Sequence, residues 1–412
     1  MSTIKPFSAV RPKPAYAARV AALPYDVMNS AEARQKVRGN PYSFLHVDKA
    51  EVDLPEETDL YADIVYETAA KNLKKLESDG ICLRETEPKL YVYRLSTEWT
   101  SQTGIMGCAS VDEYLNGTIK RHELTRAEKE KDRIRHVDAC NANTGPIFLA
   151  YRHNPAIDAV LDRIILTRPV YDFVSEGHVR HEVWIMDDPA DIAAVTEGFK
   201  AVEYLYIADG HHRAASAVRV AEMRRKAHPG YRGDEEFNFF LAVYFRAEEL
   251  QILDYNRLLK DTNGLSDGEL LQKLAENFEI RPEAEAVHPK KRHEFGMLLR
   301  QQWYRLTLKD GIADESDPVA SLDVSLLQTL VNAPVFGVDD PRTDSRIEFV
   351  GGIRGLRELE RRCREDMTVA FSMFPTSLEE LMQVADAGKI MPPKSTWFEP
   401  KPLSGLFIHY LE

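Results

Sequence analysis

The sequence predicts a mixed α/β protein, and three observations carry that prediction. Short runs rich in β-branched and aromatic residues alternate with longer runs at helical spacing. Turn-forming Pro, Gly and Asn stand between them. At 412 residues with 44% hydrophobic content, the chain can bury a sizeable core in two or three domains or in one large elaborated one.

The elements follow in order. "LPYDVM" (23–28) and "GNPYSFLHV" (39–47) hold turn signals. Between Glu56 and Ser78 apolar residues recur near helical spacing, and Gly80 stands where a C-cap belongs. "KLYVYRL" (89–95) and "IMGCASV" (105–111) read as strands. The charged stretch 125–143 reads as mostly helical and "GPIFLAY" (145–151) as a buried strand. Residues 169–186 read as a hairpin turning at Glu176-Gly177. A helix over 188–199, a strand over 201–208, an Ala-rich helix over 212–228 and a strand over 237–245 follow. In the last third, strands near 302–308, 346–350, 367–374 and 405–411 are separated by helical runs near 290–300, 323–332, 353–365 and 376–387. Soft boundaries near 90 and 255 divide the chain into 1–90, 91–255 and 256–412.

Composition narrows the function. The formal net charge of −13 argues against a general nucleic-acid or membrane-surface binder, since either needs a positive face. No stretch reaches membrane-spanning length, and the N-terminus has no long apolar run. Cys82, Cys108, Cys140 and Cys363 stand far apart without a CxxC pair. They read as thiols of a reducing compartment, so a cytoplasmic location is expected. Oligomerisation is left open.

The chemistry concentrates in "YIADGHHRAASA" (206–217), where an apolar strand meets a helix. Free backbone N–H groups and the helix dipole gather at such a turn. Gly210 permits close backbone approach. Arg213 supplies a fork suited to phosphate. His211 and His212 can each donate a hydrogen bond or move a proton. Asp209 could act as a base or help hold Mg²⁺ beside a phosphate. The plainer alternative is an N-capping Asp209 with solvated histidines and a paired Arg213. A metal site of Asp209, His211 and His212 ranks below phosphate binding, because adjacent histidines point in different directions.

Two further stretches could complete a site. In "NGTIKRHELT" (116–125), Lys120, Arg121 and His122 could grip phosphates beside Glu123 as a general base; a solvated charge run is the alternative. In "KIMPPKSTWFEPKPLSGLF" (389–407), Lys394, Ser395 and Thr396 could meet a phosphate on a stiff proline-rich loop. Asn143 in "NANTGPIF" and Asp26 in "LPYDV" are candidate polar contacts.

Eight blocks in order, "LPYDVM", "NPYSFLHV", "KRHELT", "NANTGPIFLAY", "YIADGHHRAASA", "LQILDYNRLLKD", "LDVSLLQTLV" and "PPKSTWFEPKPLSGLF", resemble the prokaryotic domain-of-unknown-function family 1015 over essentially the whole chain. The DGHHR block in turn resembles the phosphate-binding motif of the ParB/sulfiredoxin-like superfamily, which includes free serine kinases. The resemblance implies a ParB/sulfiredoxin-like core with N- and C-terminal elaborations. It implies a phosphotransferase on serine or O-phosphoserine using ADP or ATP and Mg²⁺, in one proposal run toward serine synthesis. Asp209, Gly210, His211, His212 and Arg213 match the superfamily motif, and Glu123 is the candidate for its catalytic glutamate. This chain places far more residues between Glu123 and Asp209, and is far longer, than a minimal kinase of that type. The rivals are a ParB-like nucleotide-binding regulatory module without turnover and a metal-dependent phosphatase.

Overall fold

A computed structural model describes residues 1–412 and divides them into two compact units. The first contains Met1–Leu250 together with Pro400–Glu412; the second is Gln251–Glu399. The expected boundary near 90 is not a break, and the segment expected as 256–412 divides, its last residues belonging to the first unit. The reason is pairing: His409–Tyr410 runs antiparallel to Ala142–Asn143, and Val10 N–H donates to the Ile408 carbonyl at 3.0 Å.

The first unit is built on a mixed eight-stranded sheet. In chain order its strands are β1 Leu90–Ser96, β2 Ser101–Ser110, β3 Ile119–Lys120, β4 Ile147–Tyr151, β5 Tyr171–Val174, β6 Arg180–Met186, β7 Leu205–Asp209 and β8 Phe239–Arg246. Across the sheet they lie in the order β3-β7-β4-β8-β2-β1-β6-β5. β7 runs parallel to the short edge strand β3 and antiparallel to β4. The central strands are almost wholly buried, which is why they read as continuous apolar runs rather than alternating ones. Five helices matter here: α1 Asp63–Ser78, α2 Ala127–Cys140, α3 Pro155–Ile164, α4 Pro189–Lys200 and α5 His211–Ala227. α3 and α4 begin on Asn154 and Asp188, whose side chains accept backbone N–H groups of the first turn. Their apolar faces, through Ile157, Leu161, Val195 and Phe199, join the core cluster that contains Leu149, Ile207 and Tyr244. α5 places Ala214, Ala217 and Ala221 in the same cluster, the small side chains allowing close packing.

The second unit has a six-stranded antiparallel sheet, in the order 278–283, 302–308, 294–299, 369–372, 255–259 and 347–351. The expected helix near 290–300 is instead the strand Glu294–Leu299. All six of its residues are buried, and a short apolar run carries no period to separate strand from helix. Gly296 fits this place for a steric reason: a Cβ there would stand 2.2 Å from Ser372 Oγ of the adjacent strand. The expected strand over 405–411 contracts to His409–Tyr410. No helix is long and apolar enough to cross a membrane. All four cysteines are free thiols.

His181 on β6 shows how burial sets pH-dependence. It is fully buried, with Nδ1 2.7 Å from the Tyr93 hydroxyl and Nε2 3.2 Å from Ser175 Oγ. Desolvation lowers its pKa from 6.5 to about 4. Between those values the unfolded chain binds a proton that the folded chain does not. The stability present above pH 6.5 is therefore lost as pH falls toward 4, by up to about 3 kcal/mol. A His181→Gln variant is expected to show a shallower decline of the urea-unfolding midpoint across that range than the parent.

Candidate functional site

The DGHHR turn is a true strand-to-helix junction. β7 ends at Asp209 and the seventeen-residue α5 starts at His211. Gly210 between them is the N-cap, with φ 90° and ψ 28°, a left-handed conformation that glycine adopts without steric cost. No side chain caps the helix, so its first N–H groups point past its end beside the positive pole of the dipole. Between Ile207 and Asp209 the pairing with β4 shifts register. This irregularity at the last residue of β7 re-aims Asp209 as it leaves the sheet.

Asp209 does not cap α5. Its Oδ1 accepts the Gly210 N–H at 2.7 Å, and its Oδ2 is ion-paired with Lys401 Nζ. The lysine is 10% exposed and the carboxylate 39%. Burial alone would raise the carboxyl pKa; the Lys401 charge and hydrogen bond, the Gly210 N–H and the Arg213 charge overcome it and hold the pKa low. Each oxygen of Asp209, the expected Mg²⁺ ligand, has one hydrogen-bond partner.

Arg213 reaches back from the first turn of α5. Its guanidinium donates to the Pro146 carbonyl at 3.3 Å and to Ser404 Oγ at 3.4 Å. Gly145 makes room for it: a Cβ there would stand 2.7 Å from Arg213 Nη1 and from Ser404 Oγ. Arg213 lines a pocket with Tyr25, Asp48, Arg133, Thr144 and Gly145. Tyr25 lies between two guanidinium groups, 4.1 Å from Arg133 and 5.5 Å from Arg213. Thr144 Oγ1 donates to Asp48 Oδ1 at 2.7 Å. Residues of three sequence blocks, Tyr25, Asn143–Gly145 and Arg213, therefore meet in one pocket, where Arg133 is ion-paired with Asp132 and Asp48 adds a carboxylate. Asn143 lines it as well, its Oδ1 accepting the Leu241 N–H at 3.2 Å. Asp26 is exposed, and its charge acts on His212.

The two histidines diverge. His212 Nε2 accepts the Arg126 N–H at 3.0 Å, at the N-cap of α2, and so ties α5 to α2. His211 turns the other way, into the protein, where its ring meets His122 edge to face at 4.4 Å. His122 is 2% exposed and His211 5%. Burial lowers the pKa of His122 to about 4 and drives that of His211 well below its ordinary value, with His122 adding to the latter shift. Both rings are therefore neutral near pH 7. Neither nitrogen of His122 nor Nε2 of His211 meets a hydrogen-bond partner, although the Ile207 backbone lies near the His122 ring. Such unmet groups each cost about 1–3 kcal/mol. Glu123 Oε2 stands 3.9 Å from His211 Nδ1.

The remaining expected residues are spread more widely. Lys120 Nζ lies 4.0 Å over the Tyr204 ring, and exposed Arg121 lies 4.9 Å over the Tyr114 ring. Lys394, Ser395 and Thr396 belong to the second unit. There the Lys394 carbonyl accepts from Arg257 and Ser395 Oγ donates to the Pro392 carbonyl at 2.7 Å. Lys401, Ser404, Arg133 and Tyr25 escaped the sequence reading. Only the LPYDV and NANTG turn blocks hinted at the pocket wall.

Replacing Lys401 with Met removes the principal charge that keeps Asp209 ionised. Burial should then raise the Asp209 carboxyl pKa by at least about one unit, read from its ¹³Cγ shift in an NMR titration. An unchanged titration would show that Lys401 does not set this charge.

Among known proteins, solved structures give distant likenesses. A free serine kinase variant in complex with AMP is 15% identical, with a TM-score of 0.36, covering 72% of this chain and 87% of that one. SbnI from Staphylococcus aureus, with its C-terminus truncated, is 13% identical, with a TM-score of 0.38, covering 74% of this chain and 86% of its own. A conserved hypothetical protein from Pyrococcus furiosus is 15% identical, with a TM-score of 0.32, covering 72% and 90%. No curated protein sequence matches the chain. The family profile described as "Protein of unknown function (DUF1015)" matches residues 4–325, and the chain belongs to that family.

Proposed function

We propose that this chain is a nucleotide-dependent phosphotransferase, with serine or O-phosphoserine as its small substrate. One observation carries the phosphate chemistry: Arg213 and the uncapped start of α5 stand together at one glycine turn, beside a pocket with a second guanidinium, Arg133. Anions are favoured at such a helix end, and a guanidinium matches phosphate oxygens two at a time. The serine substrate and the ParB/sulfiredoxin-like reading of the core rest on the DGHHR resemblance. The free serine kinase named above was solved with AMP, and a nucleotide is proposed here for this chain.

Phosphoryl transfer asks chiefly for positioning and for charge that balances the moving phosphoryl group. Arg213 and the N–H groups of His211 and His212 would hold its oxygens. In the direction toward phosphoserine, the serine oxygen bonds to the γ-phosphorus of ATP and the bond to the ADP oxygen breaks. The hydroxyl proton passes to Asp209, which Lys401 keeps ionised and oriented. In reverse, ADP takes the phosphoryl group from O-phosphoserine and the serine oxygen regains a proton. Glu123 and His211 are the adjoining titratable pair.

The test is an assay of the purified chain with O-phosphoserine, with and without ADP, in a Mg²⁺ buffer. Serine and ATP appearing together is the expected result. Serine with free phosphate and no need for ADP would instead make the protein a phosphatase. Tight nucleotide binding with no product from any substrate would make it a regulatory module.

Two variants locate the activity. Arg213→Gln should lower kcat/KM by about a hundred- to a thousand-fold, the loss expected for one preorganised cationic donor. Gly145→Ala leaves Arg213 intact but crowds its guanidinium. It should weaken ADP binding in calorimetry by about tenfold or more, with the circular dichroism spectrum retained.

A further inference from the structure

Three side chains below the DGHHR turn form a donor set that phosphate binding leaves unexplained. His122 and Glu123 follow the edge strand β3, and His211 opens α5. The parallel pairing of β3 with β7, Ile119 opposite Leu205 and Lys120 opposite Tyr206, brings both groups to the same end of the sheet. One ligand atom from each residue lies within 4.8 Å of the other two. Both imidazoles are more than nine-tenths buried and hold ring nitrogens without hydrogen-bond partners.

We propose that His122, Glu123 and His211 bind a divalent transition-metal ion of the zinc or cobalt class. Imidazole nitrogen is a good donor to these ions, whereas Mg²⁺ selects oxygen and near-ideal octahedral geometry. Metal–ligand bonds of about 2.0–2.2 Å place tetrahedral donors about 3.3–3.6 Å apart. The donors therefore need to close by at most about 1.2–1.5 Å. Glu123, with its side chain 42% exposed, provides the solvent-facing ligand. Three protein ligands leave a fourth position open, the pattern of metal sites that take part in chemistry rather than merely hold a fold. An ion here would take one nitrogen from each ring and so satisfy at most two of the three unmet ring nitrogens.

The inference goes beyond the phosphotransferase reading and is tested apart from it. The full chain is stripped with chelator and titrated with Co²⁺ in the absence of nucleotide and phosphoserine, following visible absorption. One Co²⁺ per chain with an intense four- or five-coordinate band is expected, displaced by Zn²⁺ but not by millimolar Mg²⁺. His122→Gln and His211→Gln should each weaken binding by about a hundredfold or more, and Glu123→Gln by about tenfold. Absence of a stoichiometric band would overturn the proposal, as would a band unchanged in all three variants. Glu123 is the least buried of the three, so its variant carries the test if a histidine variant fails to fold. Failed phosphoserine turnover with an intact Co²⁺ band would remove the functional reading and leave the metal site.

Discussion

The ion pair between Asp209 and Lys401 is the constraint on which the site depends. It joins the last residue of a central strand to a lysine 192 positions later in the chain. A half-buried carboxylate at that place would otherwise drift toward its neutral form. The lysine keeps it charged, and the Gly210 N–H fixes its second oxygen. The glycine's left-handed conformation then sets the direction in which α5 leaves the sheet. The position of Arg213 follows from that direction, and the pocket beside Tyr25 follows from Arg213.

The same segment that brings Lys401 also brings Ser404, whose hydroxyl meets the Arg213 guanidinium. Ser404 is itself tied by backbone to Ala22: its N–H donates to the Ala22 carbonyl at 2.8 Å and its carbonyl accepts from the Ala22 N–H at 3.1 Å. The walls of the pocket come from stretches remote in sequence, at Tyr25, Asp48, Arg133–Val137, Asn143–Ile147 and Arg213, with Ser404 touching the Arg213 guanidinium. A pocket assembled in this way gains its rigidity from the surrounding sheet and helices rather than from a single loop.

What the sequence disclosed follows from how local each signal is. The DGHHR turn was legible because strand, glycine and helix are contiguous, and the change from an apolar run to a helical period marks the junction. The divergence of His211 and His212 was also legible, since successive helical residues differ by about 100°. The meeting of His122 with His211 was hidden, because it needs the parallel pairing of a two-residue edge strand with a strand far along the chain. Lys401 lies in a proline-rich stretch, and nothing local in sequence distinguishes it from Lys394 as the partner of an aspartate 192 positions earlier. The strand 294–299 read as a helix because full burial erased its alternation.

The return of residues 400–412 to the first unit has a consequence in time. Synthesis reaches Asp209 and Arg213 early, then makes all of 251–399 before Lys401 and Ser404 exist. Until then, the nascent first unit carries a strand end with an unneutralised carboxylate and a guanidinium without its hydroxyl partner. The sheet's edge-to-centre order also requires pairings between distant segments, which form slowly. A chain interrupted within the second unit therefore has the DGHHR turn without its Lys401 and Ser404 contacts.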